Sequence, residues 1–403
     1  MVNSYQPIED KKRTVIVDIL RGWALLGVVL GNYIDYSYIG IPIPTNTKSV
    51  FCEILNGINQ LFFVAKSWTL LSVLFGYGFA VLINNVTSKG KNPVAFFAWR
   101  MFILFILAFI NSAFWWGDIL KDYAFLGLVL LMFYKCSAKT IRIMFCVLLL
   151  AIPFLAAYFN TIKIELPDVI TDPKYLVLYH STNLIDVFKF NLFGTFYGEM
   201  INVTYASTVH LVMFTCMLMG FYAQKIDFFN RLTTFKKQLK HTLFISFFIP
   251  VIIGLLYAFV IDRKAQYATY FTLWNWLIIS TMIFIATSIC LFYCNNKLKK
   301  FFNYLRFAGK MTLSNYIVQN ILSTLIFSGV GLKLYNTMPF WFYFILAVIV
   351  FIIQLFISKW WLTKYNYGPA EWLWRVLSYR KSFPFKKVEP QLITNDLEVK
   401  TTE

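Results

Sequence analysis

The fold class is decided by the run VIVDILRGWALLGVVLGN over residues 15–32, which is apolar, helical in pattern and interrupted by two opposite charges. A helix that crosses a bilayer needs about 20 mostly apolar residues. A charge at the centre of such a helix costs at least about 2.5 kcal/mol on insertion scales, so persistent charges usually face a bundle interior or a water-filled cavity. Asp18 and Arg21 therefore predict a site. The alternative is a membrane boundary, where Asp18 caps the helix and Arg21 extends to lipid headgroups.

The rest of the chain has the composition of a polytopic membrane protein. Of its 403 residues 59% are hydrophobic and 14% are charged, and the mean hydropathy is +0.63. Apolar runs long enough to span a bilayer lie at residues 15–35, 61–83, 94–115, 118–134, 142–160, 205–224, 241–261, 272–294, 310–330 and 339–360. The sequence thus predicts an all-α integral membrane helix bundle of about ten transmembrane helices, with nine or eleven as alternatives.

Basic residues predict how these helices are oriented, because Lys and Arg collect in short cytoplasmic loops. Basic clusters follow every second predicted span, beginning with Lys11, Lys12 and Arg13 and ending with Lys386 and Lys387. Both termini are therefore predicted to be cytoplasmic. The net charge of +18 is explained by this topology and by attraction to anionic lipid. The expected partner is the lipid bilayer, and no nucleic acid is expected.

Residues 1–380 are predicted to form a single transmembrane domain with two parts that do not span the bilayer. The outer loop 161–204 contains an aromatic, amphipathic stretch, which indicates a helix at the outer interface or, alternatively, a lid over an outward cavity. Residues 366–380 carry Glu371 and Arg375 at i, i+4, which favours an interfacial helix on the cytoplasmic face. Residues 381–403 are predicted to be a disordered cytoplasmic tail.

Polar side chains form stripes on the first and third spans. At about 100° per residue, Asp18, Arg21, Asn32 and Asp35 fall within one arc of the first helix. A stripe of this kind cannot face lipid without unsatisfied polar groups, so it should line the bundle interior. On the third span, Arg100 lies at the inner end and Asn111 lies about three turns further out on the same face.

Two further groups are candidates for ligand contact or chemistry. Asn315 and Gln319 belong to a polar face of the ninth span, which indicates a wet cavity more than interhelical hydrogen bonding, since such bonds average only about 0.6 kcal/mol. Asp118 follows Trp115, Trp116 and Gly117. It either caps the next helix or acts as an outward-facing carboxylate, suited to sugar hydroxyls or to general base catalysis.

Metal and nucleotide chemistry have no sequence support. The three histidines, His180, His210 and His241, have no metal-ligand partner nearby in sequence. Cys290 and Cys294 lie one turn apart, but two thiols without further ligands favour packing over a metal site. No phosphate-binding loop, dinucleotide glycine motif or serine elbow is present. A bound metal or cofactor is therefore not expected.

Five motifs resemble the YeiB-like family of bacterial membrane proteins, which carries domain of unknown function 418. They are DILRG at 18–22, LSVLFGYGF at 71–79, GDIL at 117–120, GKMTLSNY at 309–316 and GPAEWLWR at 368–375. The family resembles a wider group of membrane acyltransferases, which implies acyl-CoA as a co-substrate taken from the cytoplasm. It also implies a bacterial inner membrane and a cell-envelope acceptor, either a small molecule or a lipid-linked glycan.

The resemblance also implies roles for particular residues. Guanidinium groups bind phosphate well, so Arg21, Arg100 and Arg375 would hold CoA phosphates at the cytoplasmic face. The family usually has His where this chain has Asn111, and an amide cannot exchange a proton near neutral pH. A catalytic member would then depend on Asp118.

Two other classes of function fit the same residues. Polar faces on the first, third and ninth spans suit a transporter or exporter of a small polar or lipid-linked molecule. Asn111 at the usual histidine position favours a non-catalytic membrane assembly protein. The sequence names neither the substrate nor the oligomeric state.

Overall fold

The protein is an all-helical bundle in the computed structural model, which describes residues 14–41, 49–162, 164–261 and 270–387. Over these residues the pairing of extended backbone is limited to one isolated bridge, between Tyr365 and Lys386. The predicted fold class is confirmed. The basic residues of the amino terminus and residues 388–403 of the predicted tail lie outside the described residues.

Sixteen helices are described, and ten of them coincide with the ten predicted apolar runs. In chain order they are α1 (Val15–Ser37), α2 (Val50–Phe62), α3 (Lys66–Thr87), α4 (Pro93–Ser112), α5 (Ile119–Leu130), α6 (Ala138–Asn160), α7 (Pro173–Tyr179), α8 (Leu184–Phe193), α9 (Val203–Tyr205), α10 (Leu211–Lys225), α11 (Lys236–Phe259), α12 (Trp274–Cys294), α13 (Lys299–Lys310), α14 (Thr312–Phe327), α15 (Phe340–Lys364) and α16 (Pro369–Tyr379). Two π-helical turns, Gly194–Met200 and Ala206–His210, precede α9 and α10.

Eight candidate spans, among the described residues, are long and apolar enough to cross a membrane, against about ten predicted. The two predicted spans that are too short to cross a membrane as single helices are α5, with 12 residues, and α14, with 16 residues. The helix α5 is short because the chain leaves α4 at Ser112 and re-enters a helix only after Asp118, whose side chain caps it. The helix α14 is short because the backbone breaks at Met311, between α13 and α14.

Close backbone contacts at glycine hold α1 against α13. A Cβ atom on Gly22 would lie 2.2 Å from the Leu305 carbonyl oxygen, and one on Gly309 would lie 1.8 Å from the Asp18 carbonyl oxygen. Only glycine permits this approach. The same packing brings Asp18 and Arg21 beside the break that precedes α14.

We call the end of the bundle that carries Thr14 and α16 the inner end, because the basic residues predict that it faces the cytoplasm. The helix α16 lies across this end: the Trp374 indole donates to the Arg100 carbonyl oxygen at 3.1 Å, and the Trp99 indole donates to the Leu377 carbonyl oxygen at 3.0 Å. Residues 381–387, assigned by sequence to the tail, pack back on the bundle, and the Trp372 indole donates to the Phe383 carbonyl oxygen.

The outer segment, residues 164–202, covers the opposite end of the bundle. The Asn191 amide donates to the Ala113 carbonyl oxygen at 3.0 Å, and the Thr195 hydroxyl donates to the Trp116 carbonyl oxygen at 2.9 Å. The Tyr179 hydroxyl donates to the Tyr36 carbonyl oxygen. The segment therefore packs on the end of the bundle.

Candidate functional site

A cavity of about 470 Å³ enters the bundle from the inner end. It reaches the inner surface at Thr14 and Asn230, and it extends between α1, α3, α4 and α14 to Tyr316 and Tyr123. Five residues singled out from the sequence line it together: Asp18, Arg21, Arg100, Glu371 and Arg375. The fold thus brings residues from three distant parts of the chain to one site.

Two guanidinium groups in this cavity are held by stacking. Arg100 lies 3.7 Å from the centroid of the Trp374 ring, and Arg375 lies 4.4 Å from the centroid of the Tyr367 ring. Within the described residues, no hydrogen bond or ion pair engages the nitrogens of either guanidinium. A guanidinium stacked on an aromatic ring keeps its in-plane donors available for a carboxylate or phosphate.

The charged pair Asp18 and Arg21 lies in the same cavity. Arg21 Nη1 donates to Asp18 Oδ1 at 3.2 Å, and Asp18 is 1% exposed. The N-cap of α1 is Thr14, so the interpretation of Asp18 as a boundary cap is wrong. The predicted stripe is only partly correct, because Asp35 is exposed. Asn32 does not line the cavity, and its amide donates to Asn320 Oδ1 at 3.1 Å.

Glu371 has a different partner from the one that its spacing predicts. Its Oε1 accepts hydrogen bonds from the backbone N–H groups of Leu313, at 2.7 Å, and Ser314, at 3.1 Å. The Ser314 hydroxyl donates to Oε2. The carboxylate therefore caps α14 rather than pairing with Arg375, because the helix terminus offers it several donors and the positive end of a dipole. Burial raises the pKa of Glu371 above its usual range.

Asp118 lies behind the deepest wall of the cavity. Its Oδ1 accepts hydrogen bonds from the Asn111 amide and the Tyr316 hydroxyl, both at 2.9 Å, and from the Leu120 N–H at 3.2 Å. Asp118 Oδ2 is buried without a partner among the described residues. The carboxylate is 0% exposed, so the expectation of an outward-facing group is wrong.

Tyr316 belongs to the predicted polar face of the ninth span but was not among the candidate site residues. Its ring lines the cavity, its hydroxyl donates to Asp118, and the Ile119 N–H donates to that hydroxyl at 3.3 Å. The hydroxyl therefore joins the cavity to the buried carboxylate. The motif GKMTLSNY contains Tyr316, but nothing in the pattern separates it from the neighbouring polar residues.

Asn315 and Gln319 do not reach the cavity, although the sequence predicted a wet face. The Asn315 amide donates to the Ser358 hydroxyl at 2.9 Å, and the Gln319 amide donates to Gln354 Oε1 at 2.7 Å. Both partners lie on α15, so these side chains make the interhelical hydrogen bonds that were the alternative. The polar face predicted for the ninth span is therefore divided: Asn315 and Gln319 contact α15, and Tyr316 lines the cavity.

A second buried polar cluster lies in the outer half of the bundle and escaped sequence analysis. Lys121 contacts Glu199, and Asp122 accepts hydrogen bonds from the Tyr205 hydroxyl and lies 2.9 Å from His210 Nε2. Its contacts join Lys121 and Asp122 to residues 78 to 88 positions later in the sequence, so no local spacing reveals it.

A smaller pocket of about 320 Å³ lies at the outer end, within the outer segment. Asp168, Gly194, Tyr197 and Asn202 are among its lining residues. A Cβ atom on Gly194 would lie 2.8 Å from the Cβ atom of Trp116. The chain around Trp116 and Asp118 therefore separates this pocket from the inner cavity.

The fold and the cavity define a polytopic α-helical membrane protein with a cationic site at its inner end. Residues 223–381 match the family described as "Protein of unknown function (DUF418)". The chain is 27% identical to the uncharacterized protein YxaH of Bacillus subtilis, an alignment that covers 96% of this chain and 99% of YxaH. It is 24% identical to the uncharacterized protein YeiB of Escherichia coli, with 93% and 98% covered. The chain is therefore similar to YeiB and YxaH over most of its length, and it resembles the DUF418 family over residues 223–381.

A third relative also aligns over nearly the full length of both chains. An uncharacterized 39.9 kDa protein encoded in the amylase 3′ region of Bacillus acidopullulyticus is 27% identical, over 94% of this chain and 97% of its own length. These alignments cover at least 93% of this chain, so the similarity extends well beyond the DUF418 region.

Proposed function

We propose that this protein is a membrane acyltransferase of the bacterial plasma membrane that takes acyl-CoA from the cytoplasm and acylates a cell-envelope component. The observation that carries the proposal is the pair of stacked guanidiniums, Arg100 and Arg375, in a cavity that reaches the inner surface. Arg21 and Lys310 line the same cavity, against the acids Asp18 and Glu371. The lining thus has an excess of positive charge, which suits phosphate groups.

The cavity also has the shape that a long donor requires. Its charged residues lie toward the inner surface, and its deeper wall is formed by apolar and aromatic side chains, among them Leu71, Phe75, Tyr123 and Tyr316. Phosphates would bind the arginines, and the pantetheine and acyl chain would extend toward Tyr316. The reactive thioester would then lie beside the hydroxyl that is bonded to Asp118.

The chemistry assigns one role to each of these two groups. The acceptor hydroxyl or amine attacks the thioester carbonyl, a bond from acceptor oxygen or nitrogen to the acyl carbon forms, and the carbon–sulfur bond breaks. The acceptor proton passes through the Tyr316 hydroxyl to Asp118 and then to the departing CoA sulfur, so the transfer is balanced. Asn111 orients the carboxylate by its hydrogen bond, since an amide cannot act as the base.

Binding of labelled acetyl-CoA to the purified protein in detergent tests the proposal. A hydrogen bond to a charged group contributes about 1.5–3 kcal/mol, so Arg100→Gln and Arg375→Gln should each weaken binding by at least about tenfold. Arg380→Gln is the matched control, because Arg380 stacks on Trp99 at 4.2 Å but does not line the cavity. No binding at millimolar acetyl-CoA would overturn the proposal.

The outer pocket favours transport as a second candidate function. Two pockets that open toward opposite ends and are separated by one short piece of chain suit a carrier of a small polar or lipid-linked molecule. Substrate that protects engineered cysteines from thiol reagents on both sides of the membrane supports transport. Protection on the inner side alone supports the acyltransferase.

Asn111 distinguishes the catalytic from the non-catalytic candidates. If the parent transfers no acyl group and Asn111→His creates transfer, the protein is a non-catalytic assembly component that retains the cavity. If the parent is active and Asp118→Asn abolishes its activity while acetyl-CoA still binds, Asp118 is the base.

A further inference from the structure

The outer half of the bundle holds four charged or titratable side chains that the proposed function does not use. We call them the outer charge cluster: Lys121 and Asp122 on α5, Glu199 in the first π-helical turn and His210 at the end of the second. Lys121 Nζ contacts Glu199 and lies 3.4 Å from Asp122 Oδ1, and His210 Nε2 lies 2.9 Å from the same Asp122 oxygen. The side chains of Lys121, Asp122 and Glu199 are only 4–6% exposed.

The charges of this cluster do not balance without a proton. Lys121 supplies one positive charge and Asp122 and Glu199 supply two negative charges, so a neutral His210 leaves the cluster at −1. Asp118 adds another carboxylate beside it, because Lys121 Nζ donates to the Asp118 carbonyl oxygen at 2.7 Å. Burying an uncompensated ion costs several kcal/mol, and proteins usually avoid that cost by binding or releasing a proton.

Among the residues that the structure describes, the other elements that pack against His210 supply no second cation. On α3 the outermost charged group is Lys66, whose ammonium donates to the Gln60 carbonyl oxygen at 2.6 Å. On the outer half of α6 the titratable side chain is Tyr158, which is exposed. On α9 it is Tyr205, whose hydroxyl donates to Asp122 Oδ2 at 2.9 Å. Neutrality of the four-residue cluster therefore requires one bound proton, at His210 or at one of the two carboxylates.

We propose that the outer charge cluster is a proton-binding site and that His210 carries the proton. The pairing is then complete, because Glu199 has Lys121 as its cation and Asp122 has the His210 imidazolium. The His210 side chain is 16% exposed, which makes it the most exposed of the four. A neutral His210 would leave both carboxylates to share Lys121.

The site connects the outer segment to Asp118. Glu199 belongs to the outer segment, and Lys121 holds both Glu199 and the Asp118 carbonyl oxygen. Loss of the proton would draw Lys121 toward Asp122 and loosen its hold on Glu199. Proton occupancy would thereby set how firmly the outer segment packs on the bundle, whichever function the inner cavity has.

Nuclear magnetic resonance of the full chain in detergent tests this directly. In a His180→Gln/His241→Gln background, His210 is the only histidine, and its ring nitrogen shifts report its charge. At pH 7.5 both ring nitrogens of His210 should show the shifts of an imidazolium. Glu199→Gln removes one negative charge, so it should lower the proton affinity of His210 by at least tenfold.

The control is Asp186→Asn, which removes a carboxylate of the same outer segment that lies 3.5 Å from Lys189 at the surface; it should leave the His210 titration unchanged. A neutral His210 at pH 7.5 overturns the proposal, as does an equal effect of both substitutions. If Glu199→Gln does not fold, the unfolding constant of the wild type decides, because one extra bound proton makes it rise tenfold per pH unit above pH 7. A flat profile overturns the proposal. Acetyl-CoA is absent throughout, so failure here is distinct from failure of the proposed function.

Discussion

At the scale of single residues, the deep end of the inner cavity depends on one hydroxyl. Tyr316 is the side chain that both lines the cavity and donates to Asp118. Asp118 Oδ1 has three donors, whereas Oδ2 has no partner among the described residues. Such asymmetry is costly inside a membrane protein, and it usually marks a functional group.

Tyr316→Phe should remove the hydrogen bond that links the cavity to the Asp118 carboxylate. The substitution removes a hydrogen bond to a charged group, which costs about 1.5–3 kcal/mol of the free energy of unfolding. Tyr335→Phe is the matched control: its ring stacks on His180 at 4.4 Å, so removal of its hydroxyl should cost less than about 0.5 kcal/mol. Unfolding in a denaturing detergent measures both. Equal stability of the two variants would contradict the role given to Tyr316.

Glu371 gives a second prediction at this scale, because it caps α14 from another helix. Glu371→Ala leaves the Leu313 and Ser314 N–H groups without their acceptor, and loss of an N-cap costs about 1–2 kcal/mol. Glu371→Gln retains an acceptor oxygen and should cost less. Thermal unfolding of the two variants checks this order; the reverse order would mean that charge, and not the hydrogen bonds, is what α14 requires.

The pH dependence of the same group has a definite sign. Burial raises the pKa of Glu371 in the folded protein, whereas the unfolded value is about 4.3. The folded state therefore binds its proton more tightly, and the stability that this provides is complete below about pH 4.3 and is lost as the pH rises through the folded value. Glu371→Gln should remove this part of the pH dependence, and substitution of the exposed Glu53 by Gln should not.

The sequence predicts a side-chain contact best where both partners lie close together in the chain. Asp18 with Arg21, three positions apart, was predicted and is confirmed as a pair. An ion pair between Glu371 and Arg375 was predicted by the same rule. That prediction is wrong, because the first N–H groups of α14 bind the Glu371 carboxylate instead. The Lys121, Glu199 and His210 contacts could not be predicted, since they join segments whose spatial order periodicity does not determine.

At the scale of elements, glycine decides which helices approach each other. Gly22 and Gly31 both lie on α1. A Cβ atom on Gly22 would meet the Leu305 backbone, whereas a Cβ atom on Gly31 would have nothing within 4 Å. Periodicity places a glycine on a flank of the helix, but only the fold shows whether a neighbour occupies that flank.

This difference gives a paired prediction. Gly22→Ala should push α1 from α13 and cost about 1–3 kcal/mol, as overpacking does. Gly31→Ala should be neutral or stabilising by about 0.5–1 kcal/mol, because alanine favours a helix. The free energies of unfolding in detergent compare the two variants. A large loss at Gly31, or none at Gly22, would show that the contact between α1 and α13 does not hold the bundle.

Element boundaries show where hydropathy succeeds and where it fails. All ten predicted apolar runs are helices, since burial in lipid or in a bundle requires only an apolar run of sufficient length. The start of α5 agrees with the predicted cap, Asp118. The break at Met311 was not predicted, because it depends on a side chain from elsewhere, Glu371 at the start of α14.

At the scale of the whole molecule, two pockets lie toward opposite ends and are separated by the chain around Trp116. The basic residues predict that the larger pocket faces the cytoplasm. Acyl transfer to an envelope component and transport both require that the inner cavity and the outer pocket face different compartments. Sidedness is therefore the property of the whole fold on which both candidate functions depend.

Single cysteines in a background without the six native cysteines test this sidedness. Gly198 lines the outer pocket with open space at its Cβ position, and Gln224 lines the inner cavity. A membrane-impermeant thiol reagent added to intact cells should label Gly198→Cys and not Gln224→Cys, because short basic segments are retained on the cytoplasmic side. Permeabilised cells are the control and should show both sites labelled. Labelling of Gln224→Cys alone in intact cells would invert the topology, and would place the cationic cavity where cytoplasmic acyl-CoA cannot reach it.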